Sequence, residues 1–316
     1  MLRRPSQSET TSPAVRDISV EPDPRESAHG FFRTCGLRLQ SEIPLPELDP
    51  AEGPTDIEVN VGEVGDTLEG ATRRGALFES SPKAMRLDVP RVARYLVQDG
   101  RRVDIFPSGQ PIAVRHFLYG SPLAALLRQR GILALRGSAV RVGQKAVLVL
   151  GPSGFGKSRL AASFWMHGHE VLSDDLCAVT LDPPLLHPGP RFLCLPGRDV
   201  SRLGLKGRAR QFLGDVDRFL VGLPPSRCGP LPVGLVCGLS VWYRSDFRSV
   251  KVSGAERARL LIGSQYQRQA LEVMGSGPIR DAMTLAQSAP CAEVWMPRDQ
   301  VQVEELMDEV GRLADE

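Results

Sequence analysis

The sequence predicts an α/β protein whose first part is mainly β. Two observations support this fold class. From Phe31 to about Phe106, apolar residues alternate with polar ones, which is the period of two typical of half-buried strands. Farther along, the apolar residues 146–150 run into a glycine-rich turn, and a helical pattern follows as far as Met166. A strand, a turn and a helix in this order indicate an α/β unit.

The composition is that of an ordinary globular protein. Of the 316 residues, 42% are hydrophobic and 24% are charged. The net charge of +2 does not indicate a nucleic-acid partner. No apolar run approaches the ~18 residues that a membrane span needs, and Met1 leads into polar sequence rather than a signal peptide. The six cysteines are widely spaced, without a metal-binding pattern. We therefore expect a cytoplasmic protein with no nucleic-acid partner and no membrane partner.

The chain divides by its patterns into three parts. Residues 1–28 nearly lack aromatic side chains and are rich in Ser, Thr, Pro, Glu and Arg, so we expect a flexible head. Residues 29–118 form the predicted N-terminal β domain. There, alternating runs around Val59, Leu87 and Tyr95 predict strands, and Asp99-Gly100 predicts a tight hairpin. Residues 119–316 form the predicted second domain.

The second domain begins with a helix and two strands. Ser121 is the predicted N-cap, Pro122 fits the first turn, and Gly131 marks the end of the helix. Strands are predicted at residues 138–142 and 146–150, on either side of a Gly-Gln turn. Residues 235–243 predict a further, buried strand.

Beyond Thr180, closely spaced prolines predict a loop-rich region. Residues 198–210 carry several basic side chains, which fit either a site for phosphate or an acidic substrate, or a solvated surface loop. Ser253 and Glu256 predict a capping box. Apolar residues from Val303 to Leu313 fall on one face of a predicted terminal helix.

The glycine-rich turn carries the strongest functional signal. It matches G-x-x-x-x-G-K-[ST], the P-loop pattern, at every fixed position. Glycines let backbone N–H groups converge on phosphates, and the following helix adds its positive dipole end. Lys157 is predicted to contact the β- and γ-phosphates, and the Ser158 hydroxyl to join the shell of Mg²⁺. With the adjacent arginine included, the predicted nucleotide-binding residues are Gly151, Pro152, Ser153, Gly154, Phe155, Gly156, Lys157, Ser158 and Arg159.

Two adjacent acids follow the next short apolar run. Asp174 and Asp175 end the stretch Val171-Leu172-Ser173, where carboxylates are costly to bury unless a cation or a donor meets them. Beside a P-loop, Mg²⁺ on a triphosphate supplies that cation. One carboxylate is then a candidate metal ligand, and the other a candidate base toward an attacking hydroxyl.

Residues 133–180 resemble the catalytic core of HPr kinase/phosphorylase. The resemblance rests on Gly137-Ser138-Ala139-Val140, the strand pair, the P-loop, Gly168-His169 and Ser173-Asp174-Asp175. That family phosphorylates a serine on a small carrier protein, and its fold is related to phosphoenolpyruvate carboxykinase. The resemblance implies a P-loop kinase core of this type, with Asp174 and Lys157 as catalytic residues. It also implies that Asp175, together with Ser158, lies at the metal.

The sequence departs from that family at particular positions. Arg136 stands where the family has His, and Arg159 where it has Glu, and the family's later E-x-R-G signature has no counterpart in residues 194–205. These departures bear on phosphorolysis and on the HPr substrate rather than on nucleotide binding or the base. Residues 35–39 and 41–46 are similar to divergent HPr-kinase-like proteins. Some of these accompany biosynthesis clusters for ribosomally made peptides, including lasso peptides.

The sequence thus predicts an ATP- and Mg²⁺-dependent kinase. The expected acceptor is a hydroxyl, by preference a serine of a peptide or protein, and a homo-oligomer is compatible with the resemblance. Two alternatives stay open at this point. One is a nucleotide-binding regulator with weak or no phosphotransfer, and the other is a small-molecule kinase.

Overall fold

The computed structural model describes residues 30–214, 216–244, 246–275, 277–297 and 303–315, and these form a mixed α/β fold. The predicted flexible head at residues 1–28 lies outside the described part. Within the described residues, no helix has both the length and the apolar character required to cross a membrane.

The first sheet is built from alternating strands, as the sequence predicts. Its order is β3-β1-β2-β4-β9-β8-β7-β6-β5. Asp99 and Gly100 join β8 to β9 with φ of 51° and 63°, and both values suit a tight hairpin turn. The strands are β1 (Gly30–Thr34), β2 (Leu37–Ser41), β3 (Asp49–Pro50), β4 (Ile57–Val61), β5 (Arg73–Arg74), β6 (Phe78–Ser80), β7 (Ala84–Val89), β8 (Ala93–Gln98) and β9 (Arg102–Pro107).

Two helices, α1 (Pro111–Leu118) and α2 (Ser121–Gln129), pack against this sheet. The sequence pattern does not predict α1. It predicts the N-cap of α2 at Ser121, whereas the N-cap is Gly120 and Ser121 is the buried first residue of the helix. Residues of α1, α2 and the first sheet belong to one apolar cluster. The boundary between residues 118 and 119 stays a prediction.

The second sheet contains a ring of five strands. β10 pairs with β11 and β13, β13 with β14, β14 with β18, and β18 with β11, so the ring closes. Its interior is filled by apolar side chains such as Leu135 and Leu148. The remaining strands are β10 (Leu133–Val142), β11 (Lys145–Leu150), β12 (Val171–Ser173), β13 (Leu176–Leu181), β14 (Pro184–His187), β15 (Phe192–Leu195), β16 (Ala209–Gln211), β17 (Phe219–Gly222), β18 (Leu231–Trp242), β19 (Arg248–Lys251) and β20 (Cys291–Pro297).

The region after Thr180 is not the loop-rich segment that its prolines predict. Pro184 begins β14, and β15, β17 and β16 form a small antiparallel sheet. The prolines stand at strand ends and between elements, where a missing N–H breaks no ladder. Within the basic segment 198–210, the structure has a helix and a 3₁₀ turn, Lys206–Arg208.

Most of the later helices cover the second sheet, whereas α6 packs against β6 of the first sheet. They are α3 (Lys157–Met166), α4 (Gly197–Arg202), α5 (Gly254–Gly263), α6 (Arg268–Leu271), α7 (Pro278–Ser288) and α8 (Val303–Asp315). The predicted apolar face of α8 is confirmed, because Val303, Leu306, Val310 and Leu313 are buried in a cluster shared with α3. Ser253 is the N-cap of α5, but its side chain makes no capping hydrogen bond.

Candidate functional site

The glycine-rich loop lies between a buried strand and a helix. β11 runs between β10 and β18 and ends at Leu150, and α3 begins at Lys157. Gly151 has φ of 140°, and a Cβ there would stand 2.6 Å from the carbonyl oxygen of Leu239. Gly156 is the N-cap of α3 in the left-handed region, without a side-chain cap. The first-turn amides of α3 are therefore the unpaired donors that a helix N-terminus offers to an anion.

Lys157 folds over this loop. Its Nζ donates hydrogen bonds of 2.9 Å to the carbonyl oxygens of Gly151 and Pro152. Burial lowers the pKa of Lys157, while the charge of Asp174 acts in the opposite direction. The ammonium group is thus partly desolvated and close to the acid pair.

Asp174 is buried and accepts three hydrogen bonds. Its Oδ1 accepts hydrogen bonds from Ser138 (2.6 Å) and Ser158 (2.9 Å), and its Oδ2 accepts one from the Cys194 amide (2.8 Å). Only 2% of Asp174 is exposed. Burial raises the pKa of Asp174 to about 6, although the hydrogen bonds from Ser138 and Cys194 oppose this shift. The carboxyl group is therefore tied to the loop, to β10 and to β15 at once.

Asp175 points in a different direction from its neighbour. Its backbone lies in the left-handed region with φ of 65°. Its Oδ2 accepts a hydrogen bond of 3.0 Å from the Tyr266 hydroxyl, and Arg136 Nε lies 3.4 Å from its Oδ1. Backbone bonds from Arg136 to Ser264 and from Tyr266 to Ala134 join the 264–266 segment to β10. Tyr266 is thereby held beside the acid.

One cavity of about 730 Å³ opens over the loop. Residues from Ser153 to Arg159 form one wall, together with Asp175, whereas Asp174 lies behind the lining. Residues of α4 and its neighbours also line the cavity. The lining residues outside the predicted set are His116, Arg136, Cys194, Pro196, Arg198, Asp199, Arg202, Phe212, Arg218, Val241 and Met296. Six basic side chains face only two acidic ones in this lining, so the cavity favours an anionic ligand.

The arginines at the two departures from the family pattern both contact acids. Arg136 approaches Asp175, and Arg159 Nη1 lies 3.9 Å from Asp199 Oδ1 on α4. Arg159 also lines the cavity, and its guanidinium group connects α3 to α4. Its predicted role in nucleotide binding stays a prediction.

Sequence reasoning missed several residues of the site. His116 on α1 lines the cavity, and its ring centroid lies 4.0 Å from that of Phe212. Its Nδ1 is buried without a hydrogen-bond partner among the described residues. Burial lowers the pKa of His116, whereas the charge of Asp175 raises it. No local pattern around His116 or Tyr266 signals this placement, because both reach the site from distant segments.

The oxygen atoms around the loop fit a hard cation. Ser158 Oγ, both carboxyl groups of the acid pair and any bound phosphate are the oxygen ligands that Mg²⁺ prefers. The sequence placed Ser158 with Asp175 at the metal, but the hydrogen bond of Ser158 is to Asp174. Among the described residues, no cluster of three or more His, Cys, Asp or Glu side chains could hold a metal ion. Mg²⁺ sites commonly use only one or two carboxylates together with substrate phosphates.

No protein-family model matches this chain, and no curated protein matches it. Among solved structures, it aligns with the Hpr(Ser) kinase/phosphatase from Coxiella burnetii at 10% sequence identity and a TM-score of 0.29. The alignment covers 58% of this chain and 93% of that one. A TM-score this low does not establish a shared fold.

Proposed function

We propose that this chain is an ATP- and Mg²⁺-dependent kinase that transfers the γ-phosphate to a hydroxyl group, by preference a serine of a peptide or protein. One observation carries the proposal. The glycine-rich loop, Lys157 and Ser158 share one basic cavity with Asp175, and Ser158 is hydrogen-bonded to the buried Asp174. Phosphoryl transfer needs this combination of phosphate donors, a metal site and a carboxylate base.

The loop would act as a P-loop. Its amides and the N-terminus of α3 would bind the phosphates. Lys157 would exchange its two carbonyl partners, Gly151 and Pro152, for phosphate oxygens, which are stronger acceptors for an ammonium group. Electrostatic stabilisation of this kind supplies much of the rate enhancement in phosphoryl transfer.

The roles of base and metal ligand can be assigned to the two acids in two ways. The sequence assigns Asp174 as the base, with Asp175 and Ser158 at the metal, and a pKa of about 6 for Asp174 suits a base near neutral pH. The contacts support the reverse assignment. Asp174 is buried against Ser158, as a metal-shell carboxylate is in P-loop enzymes, whereas Asp175 lines the cavity where an acceptor hydroxyl would lie. We favour the reverse assignment. Bound Mg²⁺ would neutralise charge on the phosphate oxygens.

Calorimetry and a transfer assay test the nucleotide site. Purified protein should bind Mg-ATP, and Lys157→Ala should remove transfer of label from γ-labelled ATP to serine-containing peptides. Lys145→Ala is a matched control, because Lys145 is an exposed lysine at the opposite end of β11. An absence of heat with every Mg-nucleotide would refute the proposal.

Asparagine variants separate the two assignments of the acids. If Asp174 is the metal ligand, Asp174→Asn should raise the Mg²⁺ concentration needed for half-maximal ATP binding, and Asp175→Asn should lower kcat without that effect. If Asp174 is the base, the two variants should show the opposite pattern. Retention of full activity in both variants would refute both assignments.

The contact between Arg136 and Asp175 supports one competing function. An arginine on this carboxylate fits a nucleotide-binding regulator that transfers phosphate slowly or not at all. Label that appears only as free phosphate would favour the regulator. Label that moves to a metabolite but never to a polypeptide would favour a small-molecule kinase.

A further inference from the structure

We propose that Arg198 and Arg202 on α4 form a recognition site for an acidic polypeptide segment, whose carboxylates flank the acceptor hydroxyl. This inference rests on the proposed kinase function. It begins from the charges of the cavity, in which Arg136 and Arg159 already have acidic neighbours at 3.4 Å and 3.9 Å. Lys157 is bound to the loop. Arg198 and Arg202 have no ion pair with any carboxylate in the described part of the chain.

The short helix α4 presents these two arginines as a pair. They are four residues apart, and such residues lie on the same face of a helix. Both are exposed and both line the cavity, whereas Val200 is 3% exposed and packs in the apolar cluster below the helix. Asp199 also lines the cavity, but it is 6% exposed and its carboxylate lies near Arg159.

The position of α4 is held from two sides. Asp199 lies near Arg159 of α3, and the Gly197 amide donates a hydrogen bond of 3.0 Å to Asp217 Oδ1. The two arginines are therefore presented by an anchored element that lines the same cavity as the glycine-rich loop. That loop and Lys157 would already meet the charge of a Mg-bound triphosphate. A second anion would compensate the remaining positive charge.

The shape of the neighbouring surface favours a polypeptide as this second anion. Phe212 lines the main cavity and also a second cavity of about 550 Å³, which reaches Val89 and Val92 of the first sheet. Because both cavities are lined by Phe212, a ligand longer than the main cavity has a neighbouring, mainly apolar surface to contact. A small metabolite would not need that second space.

Binding of labelled peptides tests the inference directly. Three short synthetic peptides with a central serine flanked by glutamate, glutamine or lysine are compared by fluorescence anisotropy, with and without Mg-ADP. The glutamate peptide should bind about tenfold more tightly than the glutamine peptide, and added salt should reduce this preference. Equal binding of the three peptides would overturn the inference.

Arginine variants locate the site and separate it from the nucleotide. Arg198→Gln and Arg202→Gln should each weaken binding of the glutamate peptide by about tenfold. The affinity for Mg-ATP and the melting temperature should stay unchanged. Arg248→Gln, at an exposed arginine on β19, should change neither affinity. If the α4 variants instead lower the affinity for Mg-ATP, these arginines bind the nucleotide and the inference is wrong. If acidic peptides bind but Mg-ATP does not, the kinase proposal fails and the recognition site stands.

Discussion

The Tyr266 hydroxyl donates a hydrogen bond of 3.0 Å to Asp175 Oδ2, although 91 residues separate the two in sequence. Tyr266 is 8% exposed, and burial raises its pKa well above the usual range. The hydroxyl therefore stays protonated as a donor. Together with Arg136 on the other oxygen, it fixes the orientation of the acid that faces the cavity.

Tyr266→Phe should lower kcat by about tenfold or more, since a hydrogen bond to a charged group contributes roughly 1.5–3 kcal/mol. Affinity for Mg-ATP should stay the same, because Tyr266 is not among the residues that line the cavity. Phosphate transfer and calorimetry measure the two quantities. Tyr119→Phe is the matched control. Tyr119 is also buried, and its hydroxyl donates a hydrogen bond of 2.9 Å to the Glu47 carboxylate. Neither of these two residues lines the cavity. An equal loss of kcat in both variants would mean a general structural effect.

Gly120 makes room for the same hydroxyl. A Cβ at this position would lie 2.9 Å from the oxygen of Tyr266, closer than real Cβ contacts allow. Gly120→Ala should therefore lower the melting temperature and displace Tyr266, with a loss of kcat similar to that of Tyr266→Phe. The two changes should not add, because Phe removes the clashing atom.

A double-mutant cycle measures this coupling. We expect a coupling energy on the order of 1 kcal/mol between Gly120→Ala and Tyr266→Phe. Gly263→Ala, where a Cβ meets open space, should show no coupling to Tyr266→Phe. Purely additive effects at Gly120 would contradict the proposed close contact.

The first sheet illustrates what local sequence can predict. Alternation around Val59, Leu87 and Tyr95 places those side chains in the core, and Asp99-Gly100 makes the predicted turn, because pleat and turn chemistry are local properties. The prediction of loops after Thr180 was wrong, because the prolines there lie at strand ends rather than in long loops. In addition, β15 pairs with β17 across the intervening α4 and β16, and local sequence does not signal such a pairing.

In the candidate site, too, local sequence predicts some features and not others. The strand, loop and helix from Lys145 to Met166 follow from one local pattern. The contacts of the acids do not, since Asp174 meets Cys194 on β15 and Asp175 meets Tyr266. Asp175 lines the cavity and has a left-handed backbone. Aspartate adopts this conformation more readily than most residues, but two adjacent aspartates do not indicate which of them adopts it.

Asp174 should make stability depend on pH. Its pKa is about 6 in the folded protein, against a reference value of 3.8, so folding favours its protonated form. The resulting stabilisation is complete below pH 3.8 and is lost as the pH rises through about 6. Relative to Asp174→Asn, the wild-type protein should therefore lose on the order of 3 kcal/mol of unfolding free energy across this window.

Urea unfolding at several pH values tests this expectation. Asp66→Asn is the control, because Asp66 is an exposed acid whose side chain is 92% accessible. The difference in unfolding free energy between Asp66→Asn and the wild-type protein should change little with pH. A constant difference between wild type and Asp174→Asn from pH 4 to pH 7 would contradict the raised pKa of Asp174.

The buried ion pair between Arg128 and Asp281 should matter greatly for stability. It joins α2 to α7, with only 4% and 5% of the two side chains exposed, and Arg128 also donates to the Met274 carbonyl. Asp281→Ala should cost roughly 3–5 kcal/mol of unfolding free energy, because it leaves a buried guanidinium group without its partner. Glu309→Ala breaks an exposed pair with Arg312 on α8 and should cost about 1 kcal/mol or less.

Replacing both partners should cost less than removing one. Arg128→Met with Asp281→Leu removes both buried charges and fills part of their volume, so the double variant should be more stable than Asp281→Ala alone. Urea unfolding of the three proteins gives the comparison. If Asp281→Ala cost no more unfolding free energy than Glu309→Ala, the guanidinium group of Arg128 would have to reach solvent in the Asp281→Ala variant. The contact between α2 and α7 would then be too loose to hold a desolvated charge.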